Sequence, residues 1–274
     1  LSKLERSPAG EGLERITLTA PSSANGKIFY RLHVRLILNR HRDNFAQKKV
    51  LMRVPLFLFL LVQLSSAEPR QLTLPTGESI DYLFYQPEKI TKPPLLLFLH
   101  GGGESGDDLN QVKMHGPPKE IAKGRNFPMI VVSPLNPDKK GFWDEDRLAR
   151  FLDELNKQID YDHSQLYLAG MSRGGNGAYR LAMENPTRFA AMIVLCGAAP
   201  TPYAPWLKDL PIWIIHGLKD RSIPVEESVR MAAAIEKAKG NVTLTLHPEA
   251  SHDVWTRTFE NDQFIKWLLK HKRP

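Results

Sequence analysis

The chain has 274 residues, and its 37 lysines and arginines exceed its 30 aspartates and glutamates by seven. The whole excess lies in residues 1–67, with 11 basic and 4 acidic side chains, so residues 68–274 carry 26 of each sign. This balance excludes a basic surface for nucleic acid as the role of the larger part. A single cysteine, Cys196, excludes an intrachain disulfide framework and any cysteine-rich metal site.

Residues 52–67, MRVPLFLFLLVQLSSA, have the pattern of a secretory signal peptide. Arg53 supplies the positive start, an apolar run follows over Val54–Leu64, and small residues precede a cleavage site after Ala67. The run is shorter than the roughly 20 residues that span a bilayer, so it predicts no stable membrane anchor. The pattern therefore predicts a secreted or periplasmic protein, cleaved near Ala67.

Residues 1–51 precede the first methionine, Met52, and contain scattered Arg, His and Asn with one interrupted apolar patch at Ile28–Leu38. We expect Met52 to be the true start and residues 1–51 to be upstream sequence without a fold of its own. The alternative is a basic arm in front of an internal signal.

Hydrophobic periodicity in residues 68–274 alternates between strand and helix. Strands are predicted on either side of a turn at 75–77, and over Leu95–Leu99, Met129–Ser133, Leu166–Ala169, Ala191–Leu195, Ile212–Ile215 and Val242–Leu246. Helices are predicted over Asp144–Ile159, Gly175–Met183, Val225–Lys239 and Phe259–Leu269. This alternation predicts one α/β domain with a mostly parallel open sheet and helices on both faces. Function in such sheets lies beyond the carboxyl ends of the strands.

Gly170–Gly174 reads GMSRG and joins a predicted strand directly to a predicted helix. A serine on such a turn has a strained backbone and an exposed hydroxyl, and glycine two residues to either side prevents crowding. The motif predicts Ser172 as a nucleophile; the alternative is a glycine-rich turn with a capping serine.

A serine nucleophile needs a base, and the base needs an orienting acid. Asp220 follows one predicted strand and His252 follows the next, so these two residues are the predicted acid and base. Three other histidines are expected to have structural roles. His247 ends a strand, His216 lies too near Asp220 in sequence to meet its carboxylate, and His100 begins and braces a glycine loop.

That loop, His100–Glu104 (HGGGE), follows a buried strand and has the composition of an oxyanion hole, because glycines let backbone N–H groups turn inward. The predicted donors are the N–H groups of Arg173 and of Gly102, with Gly103 as the alternative to Gly102. The competing interpretation, a phosphate loop, lacks the G-x-G-x-x-G spacing and the Lys-Ser/Thr pair of such loops.

Six segments together resemble the α/β-hydrolase superfamily: LLLFLHGGGESGDD, KMHGPPKEIAKG, PMIVVSPL, LYLAGMSRGGNGAY, PIWIIHGLKDRSIPVE and SHDVW. More narrowly, they resemble its secreted phospholipase/carboxylesterase and "predicted peptidase" group, relatives of dienelactone hydrolases, feruloyl esterases and polyhydroxybutyrate depolymerases. The resemblance covers Gln71 to Leu269. It implies the α/β-hydrolase fold over residues 68–274, with Ser172, Asp220 and His252 as triad and Gly102 and Arg173 as oxyanion donors.

The implied function is that of a secreted carboxylesterase that cleaves small-molecule or polymer-linked esters without metal or cofactor. A peptidase of the prolyl-oligopeptidase type and a non-catalytic binding protein on the same fold are the alternatives; the oligomeric state is left open. The connection from Gly197 to Leu210 is too short for a large cap domain. Trp143 and Trp255, with Trp206, are expected to rim the cleft and bind substrate, the alternative being plain packing.

Overall fold

The computed structural model describes residues 66–274 in full and only the backbone of residues 3–8, 14–19 and 29–31. Those three segments are strands β1–β3, which pair antiparallel in a sheet of their own. They lie within residues 1–51, whose status as upstream sequence stays a prediction. Residues 52–65 of the predicted signal peptide lie outside the described residues. Among the described residues, no helix combines the length and apolar character needed to cross a bilayer.

Eight further strands form one sheet in the order β11-β10-β9-β8-β6-β7-β5-β4. They are β4 (Glu68–Thr73), β5 (Ser79–Tyr85), β6 (Leu95–Leu99), β7 (Ile130–Pro134), β8 (Leu166–Met171), β9 (Ala191–Leu195), β10 (Ile212–Gly217) and β11 (Val242–His247). Only β5 runs against the others, because it pairs antiparallel with both β4 and β7. The central strands β6 to β9 are buried along their whole length, as their uninterrupted apolar runs predicted.

In the described part of the chain, six α-helices cover the two faces of this sheet. They are α1 (Gly116–Ala122), α2 (Glu145–Asn156), α3 (Arg173–Glu184), α4 (Val225–Lys237), α5 (Trp255–Phe259) and α6 (Gln263–Leu268). Helices α2, α3 and α4 pack into one apolar cluster, and α1, α5 and α6 pack into a second one on the opposite face. The predicted architecture, an open and mostly parallel sheet with helices on both faces, is confirmed.

Two helices differ from the sequence prediction. The closing helix predicted over Phe259–Leu269 is present as α6 but begins four residues later, because Phe259 ends a separate helix, α5, and the chain breaks at Asn261. The Asn261 side chain accepts from the N–H of Gln263 at 2.8 Å and donates to the carbonyl of Arg257 at 2.6 Å, which ends one helix and begins the next. Helix α1 has no sequence prediction, because it is short and has two prolines directly after Gly116, which suit only a first turn.

The loops after β6, β8, β10 and β11 meet at the carboxyl edge of the sheet, because these strands are parallel. The connection between β9 and β10 contains only a 3₁₀ helix, Thr201–Leu207, and no large cap. This edge carries the residues to which the sequence assigned chemistry.

Candidate active site

Ser172 is the turn between β8 and α3, and its backbone has φ 54° and ψ −120°. A positive φ is strained for a residue with a side chain. The turn is fixed from both sides: the N–H of Ser172 donates to Leu195 at 2.8 Å, and its carbonyl accepts from Asn176 at 3.2 Å. Helix α3 thus begins directly after the serine, two residues earlier than predicted.

The two glycines of the motif allow this turn because other backbone atoms approach them closely. A Cβ on Gly170 would overlap the carbonyl of Gly174, and a Cβ on Gly174 would overlap the carbonyl of Leu99 at the end of β6. The second contact brings α3 against β6, from which the HGGGE loop departs.

The side chains of Ser172, Asp220 and His252 meet at this edge, although 80 residues separate serine from histidine in the chain. His252 Nε2 lies 2.9 Å from Ser172 Oγ, and His252 Nδ1 lies 2.7 Å from Asp220 Oδ2. An ionised carboxylate only accepts, so Nδ1 carries the proton and Nε2 is free to accept from the serine hydroxyl. The geometry is that of a nucleophile, a base and an orienting acid.

The Asp220 side chain is fully buried yet well supplied with donors. Burial raises its pKa, but the hydrogen bond from His252 and the backbone N–H groups of Ile223 and Ser222 outweigh this, so its pKa lies below the usual range. The two N–H groups donate to Oδ1 at 3.0 and 2.8 Å. The carboxylate is therefore ionised and fixed in rotation.

The HGGGE loop is braced by His100, as predicted from its position. His100 Nε2 accepts from the N–H of Asn136 at 3.0 Å, so Nδ1 carries the proton and donates to the carbonyl of Gly101 at 2.7 Å. Burial lowers the pKa of His100 to about 4, with a smaller contribution from the charge of Arg173. A neutral imidazole thus holds the loop.

Gly102 and Arg173, the two predicted oxyanion donors, are packed against each other. A Cβ on Gly102 would lie 2.7 Å from the guanidinium carbon of Arg173. Arg173 is the first residue of α3, so its backbone N–H has no partner within the helix. Its side chain donates to the carbonyls of Lys139 and Gly141 at 3.0 and 3.1 Å, so the loop between β7 and α2 is attached to the same site.

Trp143 and Trp255, predicted to rim the cleft, are only 5% and 8% exposed. The Trp143 indole N–H donates to the carbonyl of His100 at 3.2 Å, and its ring meets that imidazole edge to face. The Trp255 ring meets His252 at 5.1 Å between ring centres. Both tryptophans support the loops of the site from within, and their contact with substrate stays a prediction.

Trp206, by contrast, is 54% exposed and lies on the 3₁₀ helix between β9 and β10. Its ring is 5.0 Å from that of Tyr203, itself 45% exposed. Both line a cavity of about 380 Å³ that reaches Asn176 on α3, one turn beyond Ser172.

The expectation that His216 cannot reach the carboxylate of Asp220 is wrong. His216 is the penultimate residue of β10, and its Nε2 lies 3.1 Å from Asp220 Oδ2. The error came from the turn at Gly217–Asp220, closed by the N–H of Asp220 on the carbonyl of Gly217, which carries the acid back over the strand end.

Sequence reasoning gave no role to Glu104, the last residue of the HGGGE loop. Its carboxyl group is buried, and burial raises its pKa above the usual range against the effect of the N–H groups of Glu104 and Gly101. His115 Nε2 lies 3.8 Å from it, and the His115 ring contacts Trp255. The sequence shows only that a glutamate follows three glycines, and nothing in that pattern indicates that its carboxyl group is buried.

One group in the described part of the chain could hold a metal ion by distance, since Cys196, His216 and Asp220 offer ligand atoms within 4.8 Å of one another. Each of these atoms already has a hydrogen-bonding role: the Cys196 thiol donates to the carbonyl of His252 at 3.3 Å, and the other two bind each other. The cluster belongs to the support of the candidate triad.

Residues 140–263 match the model of the dienelactone hydrolase family, a range that contains the serine, the aspartate and the histidine. A solved structure described as a thermostable esterase superposes with a TM-score of 0.66 at 27% identity, over 77% of this chain and 64% of that one. The chain has the α/β-hydrolase fold. The predicted fold class and family resemblance are thereby confirmed.

Other proteins that this chain resembles are described with activities that differ from one another. The bifunctional acetylxylan esterase/xylanase XynS20E of Neocallimastix patriciarum is 25% identical over 151 residues, which are 53% of this chain and 22% of that protein. The chain thus spans about a fifth of the length of that curated relative. An acylaminoacyl peptidase of Pyrococcus horikoshii has a TM-score of 0.60 at 16% identity, over 77% of this chain and 42% of that one, and shares the fold alone.

Proposed function

We propose that the protein is a serine hydrolase that cleaves carboxylic esters through an acyl-enzyme. The observation that carries the proposal is the bridge made by His252, at 2.9 Å from the Ser172 hydroxyl and 2.7 Å from the Asp220 carboxylate. The match to the dienelactone hydrolase family and the likeness to a thermostable esterase support it.

In the proposed mechanism, His252 Nε2 takes the proton of Ser172 as its hydroxyl attacks the ester carbonyl carbon. Asp220 holds the imidazole in the required tautomer and stabilises its cation. The backbone N–H groups of Gly102 and Arg173 bind the oxyanion. The imidazolium then protonates the leaving alcohol, and a water activated by His252 hydrolyses the acyl-enzyme. We expect these steps to need neither a metal nor a cofactor.

We propose that the ester group is borne on a sugar or aromatic ring, small or part of a polymer. The connection between β9 and β10 is short, which supports an open cleft. The exposed rings of Tyr203 and Trp206 offer a stacking surface in the cavity that reaches Asn176 on α3. The acetylxylan esterase named above is described as acting on such a polymer.

Export is part of the proposal and rests on the sequence of residues 52–67. Amino-terminal sequencing of protein secreted by an expression host tests it. A start at Glu68 supports cleavage after Ala67; a start upstream of Met52 contradicts both the signal peptide and the assignment of residues 1–51.

Parallel hydrolysis of p-nitrophenyl acetate and of an acyl p-nitroanilide by the purified chain tests the reaction class. We expect turnover of the ester and little of the anilide. Preferred cleavage of the anilide would favour a peptidase. The absence of both turnovers and of labelling by a fluorophosphonate would favour a binding protein.

A further inference from the structure

His216 is fully buried at the end of β10, and both of its ring nitrogens have partners. Nε2 lies 3.1 Å from Asp220 Oδ2 and 3.0 Å from the carbonyl oxygen of Ile223. Nδ1 lies 2.7 Å from the hydroxyl of Ser228, a buried residue of α4. The imidazole thus connects the predicted catalytic acid to a helix outside the active site.

The proton positions in this group follow from its partners. Both neighbours of Nε2 only accept, so Nε2 carries the proton and donates to them. Burial lowers the pKa of His216 against the raising effect of Ile223 and Asp220, so the ring is neutral. Nδ1 is then an acceptor, and the Ser228 hydroxyl must donate to it.

Asp220 Oδ2 consequently lies between two histidines. His252 and His216 both donate to this one oxygen, at 2.7 and 3.1 Å, while Oδ1 takes the backbone N–H groups of the following turn. A second serine–histidine pair, Ser228 and His216, therefore binds the same carboxylate oxygen as the pair Ser172 and His252.

We propose that His216, held by Ser228, is a positioning residue of the active site: it fixes Asp220 Oδ2 toward His252 and takes up part of its negative charge. The proposal rests on the function proposed above. A carboxylate that loses one of two donors to the same oxygen is freer to rotate and concentrates its charge on the remaining donor. The protonated form of His252 would then be held more strongly, so activity would fall at a higher pH on the acid side.

The Cys196 thiol, directly after β9, also faces this carboxylate, and burial raises its pKa. Asp253, in the loop that carries His252, acts on that thiol. Neither residue changes in the variants below, so a moved acid limb is attributable to the His216 donor.

Three variants of the full chain test the proposal, with kcat, KM and the pH profile of kcat/KM measured on p-nitrophenyl acetate. His216→Leu removes the donor, His216→Gln retains an N–H near the Nε2 position, and Ser228→Ala removes the group that holds Nδ1. We expect His216→Leu to lower kcat by about tenfold or more with KM nearly constant. Its acid limb should move up by about half a pH unit. His216→Gln should recover most of both, and Ser228→Ala should show a smaller change in the same direction.

His247→Leu is the matched control, because His247 is a second buried histidine at the end of the adjacent strand β11. It should leave kcat and the acid limb unchanged. The proposal is overturned if folded His216→Leu and Ser228→Ala keep the wild-type acid limb, whether or not kcat falls, since a merely structural role lowers activity without moving the profile. If His216→Leu does not fold, Ser228→Ala decides alone. Ser172→Ala, measured in parallel, keeps the two proposals apart: full activity there refutes the serine mechanism itself.

Discussion

Gly102 and Arg173 are in such close contact that a Cβ on the glycine would lie 2.7 Å from the guanidinium carbon. The two residues belong to different elements, the loop after β6 and the first turn of α3. We propose that the backbone N–H groups of both residues bind the oxyanion. Arg173 is then expected to contribute twice, through its N–H and through a side chain that packs against the loop carrying the other donor.

Gly102→Ala should displace the Arg173 guanidinium from the loop and lower kcat for ester hydrolysis by up to about 10²-fold, the effect of losing one oxyanion donor outright. The matched control is Gly103→Ala, because a Cβ on Gly103 meets nothing within 4 Å. It should retain kcat within about twofold. Equal losses in the two variants would contradict the assignment of Gly102.

Gly174→Ala tests the packing of the nucleophile turn. Its Cβ would overlap the carbonyls of Leu99 and His100, which are backbone atoms and cannot rotate away. We expect the free energy of unfolding to fall by about 3 kcal/mol, and the Tm by roughly 10 °C. Calorimetry beside Gly103→Ala measures this; a Tm within about 2 °C of wild type would show that the approach of α3 to β6 is looser than described.

The sequence predicted the strands and the positions of Ser172, Asp220 and His252 at their ends because both depend on local patterns. The uninterrupted apolar runs of β6 to β9 and the glycines around Ser172 have few alternative interpretations. The sequence predictions failed where a contact depends on the chain folding back on itself. Four residues separate His216 from Asp220, which predicts no contact, yet the turn between them folds the carboxylate back onto the His216 ring.

The break between α5 and α6 is a failure of a different kind. The polar residues 260–262 separate the two helices, and the Asn261 side chain forms hydrogen bonds to both of them. The burial of Trp143 and Trp255 was equally out of reach, since a tryptophan near a strand end suits either a cleft or a core.

Stability should depend on pH through His247. Burial lowers its pKa from 6.5 to about 4. Between pH 6.5 and pH 4, His247 therefore binds a proton in the unfolded chain but not in the folded chain. The stability that is present above pH 6.5 is lost as the pH falls toward 4. Because one unit of pKa difference corresponds to about 1.36 kcal/mol, the neutral His247 contributes about 3 kcal/mol to the free energy of unfolding. Urea unfolding of wild type and His247→Gln between pH 7 and pH 4 measures it: the wild type should lose more stability by about this amount, and parallel curves would contradict the assignment.

Trp206→Ala tests the proposed stacking surface. The side chain is exposed, so its truncation should leave the fold intact. We expect KM for an acetylated sugar oligomer to rise by about two- to tenfold, as loss of roughly 0.5–1.5 kcal/mol of ring stacking requires. Turnover of ethyl acetate, which has no ring, should not change. Phe142→Ala, at another exposed aromatic residue, is the control; an equal rise there would remove the special role of Trp206.

The central claim is that Ser172 is the nucleophile activated by His252. Its most direct test is to treat the wild-type chain and Ser172→Ala with a fluorophosphonate, and to locate the adduct by mass spectrometry of the digested protein. The account predicts one adduct per wild-type chain on the peptide containing Ser172, none on the variant, and a fall in ester turnover of about 10³-fold or more with the substitution. An adduct on another residue, or a variant that keeps its ester turnover, would contradict it.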